Sequence, residues 1–344
     1  MKIADFDLKE KVFIVAELSA NHKQDLNLAK ETIYAMKEAG ADAVKLQTYT
    51  PDTITIDCDN EYFQIKHGTY WDGQTLYQLY KKAYTPWEWH YELKELAEKL
   101  NLIFFSAPFD KTAVDFLEKL NIPAYKIASP EITDIPLIEY VASKGKPVII
   151  STGVATLCDI QEAIEACKRT GNDQIILLKC TSAYPTPLEE VNLNTIPNMK
   201  ETFNVEVGLS DHTLGIEVPI AAVALGARVI EKHFILDKKI KTEDSFFSLD
   251  KDEFRQMVQA IRNVEKALGR VSYGLSEKLE NLRKGSRSLF AVKDIKKGEI
   301  FTEENVRSIR PGYGLHPKYL PQILGKRARK DIKKGTPLSW ELID

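Results

Sequence analysis

Eight short apolar runs recur over the first 234 residues, and their number and texture limit this chain to very few folds. They are VFIVAEL (12–18), DAVKLQT (42–48), LIFFSA (102–107), AYKIAS (124–129), PVIIST (147–152), IILLKCT (175–181), VEVGLS (205–210) and RVIEKHF (228–234). None alternates strictly between apolar and polar, as a strand with one wet face does. Runs of this kind suit strands covered on both faces, which is the condition of a parallel sheet. Longer stretches with helical spacing separate most of them: LAKETIYAMKEAG, WHYELKELAEKLN, TAVDFLEKLN, PLIEYVASKG, CDIQEAIEACKRTG and VPIAAVALGA. Several close on Gly or Asn, as helix C-termini do. Eight strand–helix units in about 250 residues are the arithmetic of a TIM barrel. An open, doubly wound sheet is the competitor, but SANHKQD follows the first strand where a glycine-rich dinucleotide turn would stand.

The expected fold is therefore α/β: a (β/α)8 barrel over residues 1–270, a linker over 271–286 and a small β-rich module over 287–344. KDIKKG occurs twice in that module, at 293–298 and 330–335. Each copy follows a short apolar strand, which predicts a pseudo-symmetric unit too small to be more than marginally stable alone. The second barrel connection, from Tyr49 to about Trp87, is far longer than a usual βα loop and predicts a lid or substrate wall. His67 and His90, among its aromatics, are read as lid or packing residues.

Bulk properties exclude several classes. With 44% hydrophobic and 28% charged residues the composition is globular. A formal net charge of −3 gives no electrostatic reason to expect nucleic acid as a partner. No apolar run is long enough for a bilayer, and the start lacks the order of a signal peptide. Cys58, Cys158, Cys167 and Cys180 show no zinc-like spacing and fit reduced thiols. A soluble cytoplasmic protein, with no membrane partner, is the expectation.

Functional groups in such barrels gather at the carboxyl ends of the strands. Those positions hold Glu17, Lys45, Gln47, Ser106, Lys126, Ser129, Ser151, Ser182, Ser210 and Glu231. The seventh and eighth strands, ending in GLSDHT and IEKHF, also place His212 and His233 on adjacent staves. Two imidazoles in one mouth, with Glu17 or water completing the shell, make a divalent-metal site with open positions. Lys45 and Lys126 interrupt apolar strands, and a buried ammonium is costly unless it is paired or meets an anion. With a serine-rich rim they suit a phosphate plus a carboxylate. A Schiff-base aldolase using one of these lysines is the rival chemistry. A non-enzymatic carbohydrate binder using the second module is a further alternative. Arg310, in the turn-rich RPGYGLHP, could reach outward to a ligand or a second chain.

In the order AELSANH, VKLQTYTPD, AYKIASPEI, STG, KCTSAYPT, GLSDHT and IEKHF, the chain resembles the sialic acid synthase family. Its end, with KDIKKGE and RPGYG, resembles that family's antifreeze-protein-like (SAF) domain. QTYTPDTIT, AYTPWEWH and EDSFFSLDKDEF are similar to the pseudaminate branch rather than the neuraminate or legionaminate branches. The resemblance implies condensation of phosphoenolpyruvate with the open-chain aldehyde of an N-acylated amino sugar, releasing phosphate. For the pseudaminate branch the sugar is 2,4-diacetamido-2,4,6-trideoxy-L-altrose. By the same resemblance His212 and His233 hold a divalent cation, Mn2+ first and Mg2+ or Co2+ as alternatives. Lys45, Lys126, Ser129, Ser151, Ser182 and Ser210 surround phosphoenolpyruvate, and Ser106 is a further substrate-binding residue. Glu17, Glu231 and Lys126 are the implied catalytic residues, with the two carboxylates as acid/base candidates. Gln47, Tyr184 and Asp244 meet the sugar. Arg310 is implied to come from the second module of a partner subunit, in a domain-swapped homodimer.

Overall fold

All eight expected strands form: β1 (Phe13–Glu17), β2 (Ala43–Thr48), β3 (Ile103–Pro108), β4 (Tyr125–Ile127), β5 (Val148–Ser151), β6 (Ile175–Cys180), β7 (Glu206–Asp211) and β8 (Val229–His233). They lie side by side in chain order, all parallel, and β8 returns to β1 to close a barrel. The computed structural model describes residues 1–66 and 68–344, so His67 lies outside the described residues. The chain divides into two units, Met1–Gly269 and Arg270–Asp344.

Side chains along a strand alternate between the two faces, so one inward residue fixes the parity of all the others. Phe13, Val15, Ala43, Phe105, Ala124, Ile149, Ile176, Leu178 and Val229 fill the barrel interior. Ile3 and Leu8, from an N-terminal hairpin (Lys2–Ile3 with Phe6–Asp7), join the same cluster and cover its base. That hairpin was not foreseen. The intervening residues, among them Ile14, Val44, Leu46, Phe104, Ile150, Leu177 and Ile230, face outward into a larger core shared with the helices. Continuing the inward parity toward the carboxyl ends gives Glu17, Lys45, Gln47, Lys126, Ser151, Cys180, Ser210, Glu231 and His233. The apolar interior is thus capped by a polar layer at the mouth.

Helix ends are specified locally. Thr156 and Asp159 form a capping box at the start of Leu157–Arg169, and Asp250 and Glu253 form another at Lys251–Leu268, the closing helix. A helix over Thr195–Phe203 was not expected, because Pro197 breaks its pattern. Pro197 falls in the first turn, where backbone N–H groups have no intrahelical partner to lose. The insertion after β2 also contains a helix, Leu76–Ala83, where only a loop was expected.

In the second unit the KDIKKG copies pair with each other. Ile295 and Ile332 are bridged antiparallel, and Gly298 and Gly335 both take positive φ, at 81° and 88°. Asp294 accepts from the Lys334 N–H at 2.8 Å, and Asp331 accepts from the Lys297 N–H at 2.8 Å. The sequence repeat is therefore a local two-fold in space. Strands β9 (Ser288–Ala291) and β10 (Val306–Ile309) form an antiparallel pair beside it.

Candidate active site at the barrel mouth

The polar layer opens into a cavity of about 440 Å3. Its floor is a buried network of two carboxylates and two ammoniums. Lys45 Nζ lies 2.6 Å from Glu17 and 3.6 Å from Glu231, and Lys126 Nζ lies 3.8 Å from Glu231. Burial pushes the Glu17 carboxyl up to about 7; Lys45 opposes this and the Glu231 charge adds to it. Burial also pushes Glu231 up, but Lys126 and Lys45 together outweigh it and hold that carboxyl below its usual range. Two buried carboxylates in contact with the same lysine are thus driven apart, one prepared to hold a proton and one to stay ionised. Lys126 is lowered by burial and donates to Ser151 Oγ at 2.7 Å.

Beside Lys126 is a cradle of small groups. Gly153 N–H donates to Ser129 Oγ at 3.0 Å. A Cβ on Gly153 would meet Ser182 Oγ at 2.2 Å and Ser129 Oγ at 2.8 Å, so only glycine leaves this space open. Hydroxyl groups gathered beside an ammonium are a donor set for a phosphate or carboxylate.

The two histidines meet as the strand order required. Their ring centroids are 5.3 Å apart, and Phe247 and Tyr184 pack against them. His212 Nδ1–H donates to the Thr181 carbonyl at 3.2 Å, which turns the other nitrogen into the one with a free lone pair. His233 Nδ1 is buried with no hydrogen-bond partner among the described residues, and the Asp244 carboxylate is 3.7 Å from it. Burial, reinforced by the positive groups around it, holds the His233 imidazole well below its ordinary value and therefore neutral. Burial lowers the His212 imidazole, but Cys180, the Thr181 carbonyl and Asp211 outweigh it and hold it above its ordinary value. A neutral His233 with an orphaned nitrogen, beside a His212 that gives up any proton on its free nitrogen when it binds, fits a divalent cation with two protein ligands and positions left for substrate or water. Among the described residues no three His, Cys, Asp or Glu side chains converge on one such position. Glu17, one of the two expected completions of the shell beside water, is taken up by Lys45 and by Gln47 Nε2 at 3.1 Å.

Asp244 accepts from Ser19 Oγ at 2.5 Å and, with Gln47 and Tyr184, lines the cavity. Ser210 donates to Glu231 at 3.0 Å. Ser106 does not belong to the site. Phe105 is inward, so Ser106 points outward and hydrogen-bonds Thr48 Oγ1 at 2.6 Å, and His90 Nε2 meets the same hydroxyl at 2.8 Å. His90 is thus a packing residue. Asp211 and Lys232 are outward by the same rule and form a buried pair at 2.5 Å that ties β7 to β8 behind the histidines. Arg310 is exposed in the second unit.

Sequence reasoning missed Gly153 and Cys180 as site residues, although the parity of β6 points Cys180 inward. Burial raises the Cys180 thiol, but His212, Ser129 and Lys126 outweigh it and leave it at about 7. Ser19 and Tyr49 also line the cavity unforeseen. From the insertion come Ile65, Trp71 and the helix Leu76–Ala83, so this segment is the wall expected of it. Trp71 Nε1–H donates to the Glu243 carbonyl at 3.1 Å and its ring packs on Tyr184 and Phe246.

Glu131 stands just behind the cavity wall at Pro130. Its Oε2 is buried without a partner, and burial pushes the carboxyl up to about 7, against its own backbone N–H and Lys126. The folded value exceeds the unfolded one, so ionising Glu131 costs stability. The penalty is absent below about pH 4.5, grows through pH 7 and is complete above it, at most about 3 kcal/mol. Glu131→Gln is expected to be about 1–3 kcal/mol more stable than wild type at pH 8 and equal to it near pH 4.5. Urea unfolding at the two pH values checks this, and an equal gain at both would contradict it.

A parallel barrel whose mouth joins buried lysines, a glycine-serine cradle and paired imidazoles is the arrangement of an enzyme's active site. Residues 32–273 match the NeuB family and residues 286–344 the SAF domain, and the chain belongs to the NeuB family. It is 53% identical over 338 residues to the pseudaminic acid synthase of Campylobacter jejuni subsp. jejuni, covering 98% of both chains. It is 53% identical over 332 residues to the pseudaminic acid synthase of Helicobacter pylori, covering 96% of this chain and 97% of that one. Among solved structures, an N-acetylneuraminic acid synthetase from Leptospira borgpetersenii serovar Hardjo-bovis, in complex with citrate, superposes with a TM-score of 0.70. It is 32% identical, over 79% of this chain and 90% of that one. No described helix is long and apolar enough to cross a membrane.

Proposed function

We propose that the chain is a pseudaminic acid synthase, condensing phosphoenolpyruvate with open-chain 2,4-diacetamido-2,4,6-trideoxy-L-altrose and water to give pseudaminic acid and phosphate. The observation that carries the chemistry is the anion cradle of Lys126, Ser129, Ser151 and Ser182, kept open by Gly153, beside the histidine pair. The two pseudaminate relatives support the choice of sugar.

In the reaction, C3 of phosphoenolpyruvate forms a bond to the aldehyde carbon, and the aldehyde oxygen takes up a proton. Water adds to the electron-poor C2 and gives up its proton. The C2–O bond to phosphate then breaks with its electron pair going to phosphate, while the new C2 hydroxyl becomes the keto oxygen and its proton passes to the departing phosphate. Lys126, Lys45 and the serine rim hold the phosphate and carboxylate oxygens while charge moves between them. Glu17, whose carboxyl sits near 7, is the group able to hold or yield a proton at its Oε atoms at working pH. Glu231 stays ionised and fixes the two ammoniums. When bound by His212 and His233, a divalent ion such as Mn2+ supplies Lewis-acid polarisation of the sugar's carbonyl oxygen. Asp244, Gln47 and Tyr184 orient the sugar, and the insertion excludes water.

We further read the enzyme as a homodimer in which Arg310 of a second copy closes the mouth. Supporting this, Val271 and Tyr273, at the start of the second unit, are 90% and 97% exposed and offer apolar surface that a second copy would cover.

The test is phosphate release from phosphoenolpyruvate with mass spectrometry of the product. The sugars are the diacetamido-trideoxy-altrose, its legionaminate-pathway diastereomer and N-acetylmannosamine, each with and without EDTA. Release with the altrose alone is expected; release only with another sugar would move the substrate, and release with none would remove the reading. Light scattering on the same preparation at the monomer mass would remove the dimer.

A further inference from the structure

We propose that the helix Leu76–Ala83 is the specificity-determining wall of the cavity, and that its apolar face selects an acceptor sugar bearing a methyl group where an ordinary hexose bears a hydroxymethyl. The inference rests on the condensation reading above and adds to it how the sugar is chosen.

Leu76, Leu79, Tyr80 and Ala83 stand at i, i+3, i+4 and i+7, which places them on one face of the helix. All four line the cavity. An amphipathic helix ordinarily spends such a stripe on the protein core. Here no residue of the helix is buried, and none of the four belongs to a hydrophobic core of either unit. The apolar face is therefore presented to the cavity and its occupant.

The wall is also braced independently of that occupant. Thr75 and Gln78 form a capping box that sets the helix start. Ile65 N–H donates to the Gln74 carbonyl at 3.0 Å, and Gly73 N–H donates to the Ile65 carbonyl at 3.2 Å, folding the insertion back on itself. The Tyr80 ring packs edge-on against Tyr49 at 5.5 Å, joining the helix to the barrel rim. A preformed hydrocarbon surface, sharing a cavity with a floor of lysines and carboxylates, divides the site by polarity. The anionic enol binds the floor, and the deoxygenated end of the acceptor meets the leucines. A hydroxyl placed against Leu76 and Leu79 loses its water partners without finding new ones there.

The test compares kcat/KM of the full chain for the diacetamido-6-deoxy sugar with that for its 6-hydroxy counterpart. Wild type is expected to prefer the 6-deoxy sugar by about 10- to 100-fold. Leu79→Asn should cut that preference about tenfold or more with the KM for phosphoenolpyruvate unchanged, whereas Leu79→Met should retain it. Leu76→Ala, which only trims the wall, should shift the preference in the same direction and carries the test should the polar change unfold the insertion. An unchanged ratio in Leu79→Asn and Leu76→Ala, with both sugars still condensed, overturns the wall alone. If wild type condenses neither sugar with phosphoenolpyruvate, the functional reading falls and the wall with it.

Discussion

Lys126→Met is expected to lower kcat/KM for phosphoenolpyruvate by about 10²–10³-fold while leaving the melting temperature equal to or above that of wild type. The two effects have opposite signs because they come from one arrangement. Lys126 is buried, donates to Ser151 and the Ile127 carbonyl, and has its nearest carboxylate oxygen, on Glu231, 3.8 Å away, beyond hydrogen-bond distance. Burying that charge without close compensation disfavours the folded state, and a methionine of similar length removes the cost. Glu231 is not abandoned, because it keeps the Ser210 hydroxyl at 3.0 Å and Lys45 at 3.6 Å. What the substitution does remove is the cation against which the cradle of Ser129, Ser151 and Gly153 presents an anion. Steady-state kinetics together with thermal unfolding decide the matter. A variant that loses stability and keeps its phosphoenolpyruvate KM would show that Lys126 is structural.

The same reasoning separates what was legible in the sequence from what was not. The strands were legible because a run such as IILLKCT, apolar on both faces, has few other uses. The meeting of His212 with His233 was legible because adjacent staves of a closed barrel bring their ends together. Membership of the mouth, however, turns on parity, and a slip of one residue reverses it. Ser106 shows this: it lies at the carboxyl end of β3 like its fellows, yet Phe105 takes the inward position. Parity also exposes Cys180, which composition alone makes an ordinary buried thiol. The helix Leu76–Ala83 was hidden for another reason. LYQLYKKA does carry an apolar stripe, Leu76, Leu79, Tyr80 and Ala83, but it is only eight residues long and lies inside a long connection rich in polar and turn residues, so it does not stand out as a helix. Gly153 was quoted only as part of STG; its role lies in the 2.2 Å that a Cβ would leave to Ser182 Oγ, a distance no sequence carries.

His233→Ala and His212→Ala are each expected to weaken divalent-cation binding by more than about 10²-fold and to abolish EDTA-sensitive turnover. The case rests on what each ring lacks. His212 has its Nδ1–H engaged by the Thr181 carbonyl, so its other nitrogen carries the lone pair, as a metal-bound imidazole requires. His233 has a buried nitrogen with no hydrogen-bond partner, an arrangement that costs free energy in an otherwise satisfied interior. An orphaned imidazole nitrogen beside a second imidazole, held neutral by burial and by the lysines around it, is explained if a cation completes both. Were the rings merely packing residues, the alanine variants would lose contacts with Phe247 and Tyr184 and some stability, but Mn2+ would bind as before or not at all in wild type. Titration of Mn2+ followed by its electron paramagnetic resonance signal reads binding without relying on turnover. Loss of the bound signal in both variants, with Lys126→Met still binding Mn2+, would assign the cation to the histidines and the anion to the lysine as two separable halves of one mouth. Equal binding in wild type and both histidine variants would dismiss the pair as ligands and leave the orphaned nitrogen of His233 to another partner.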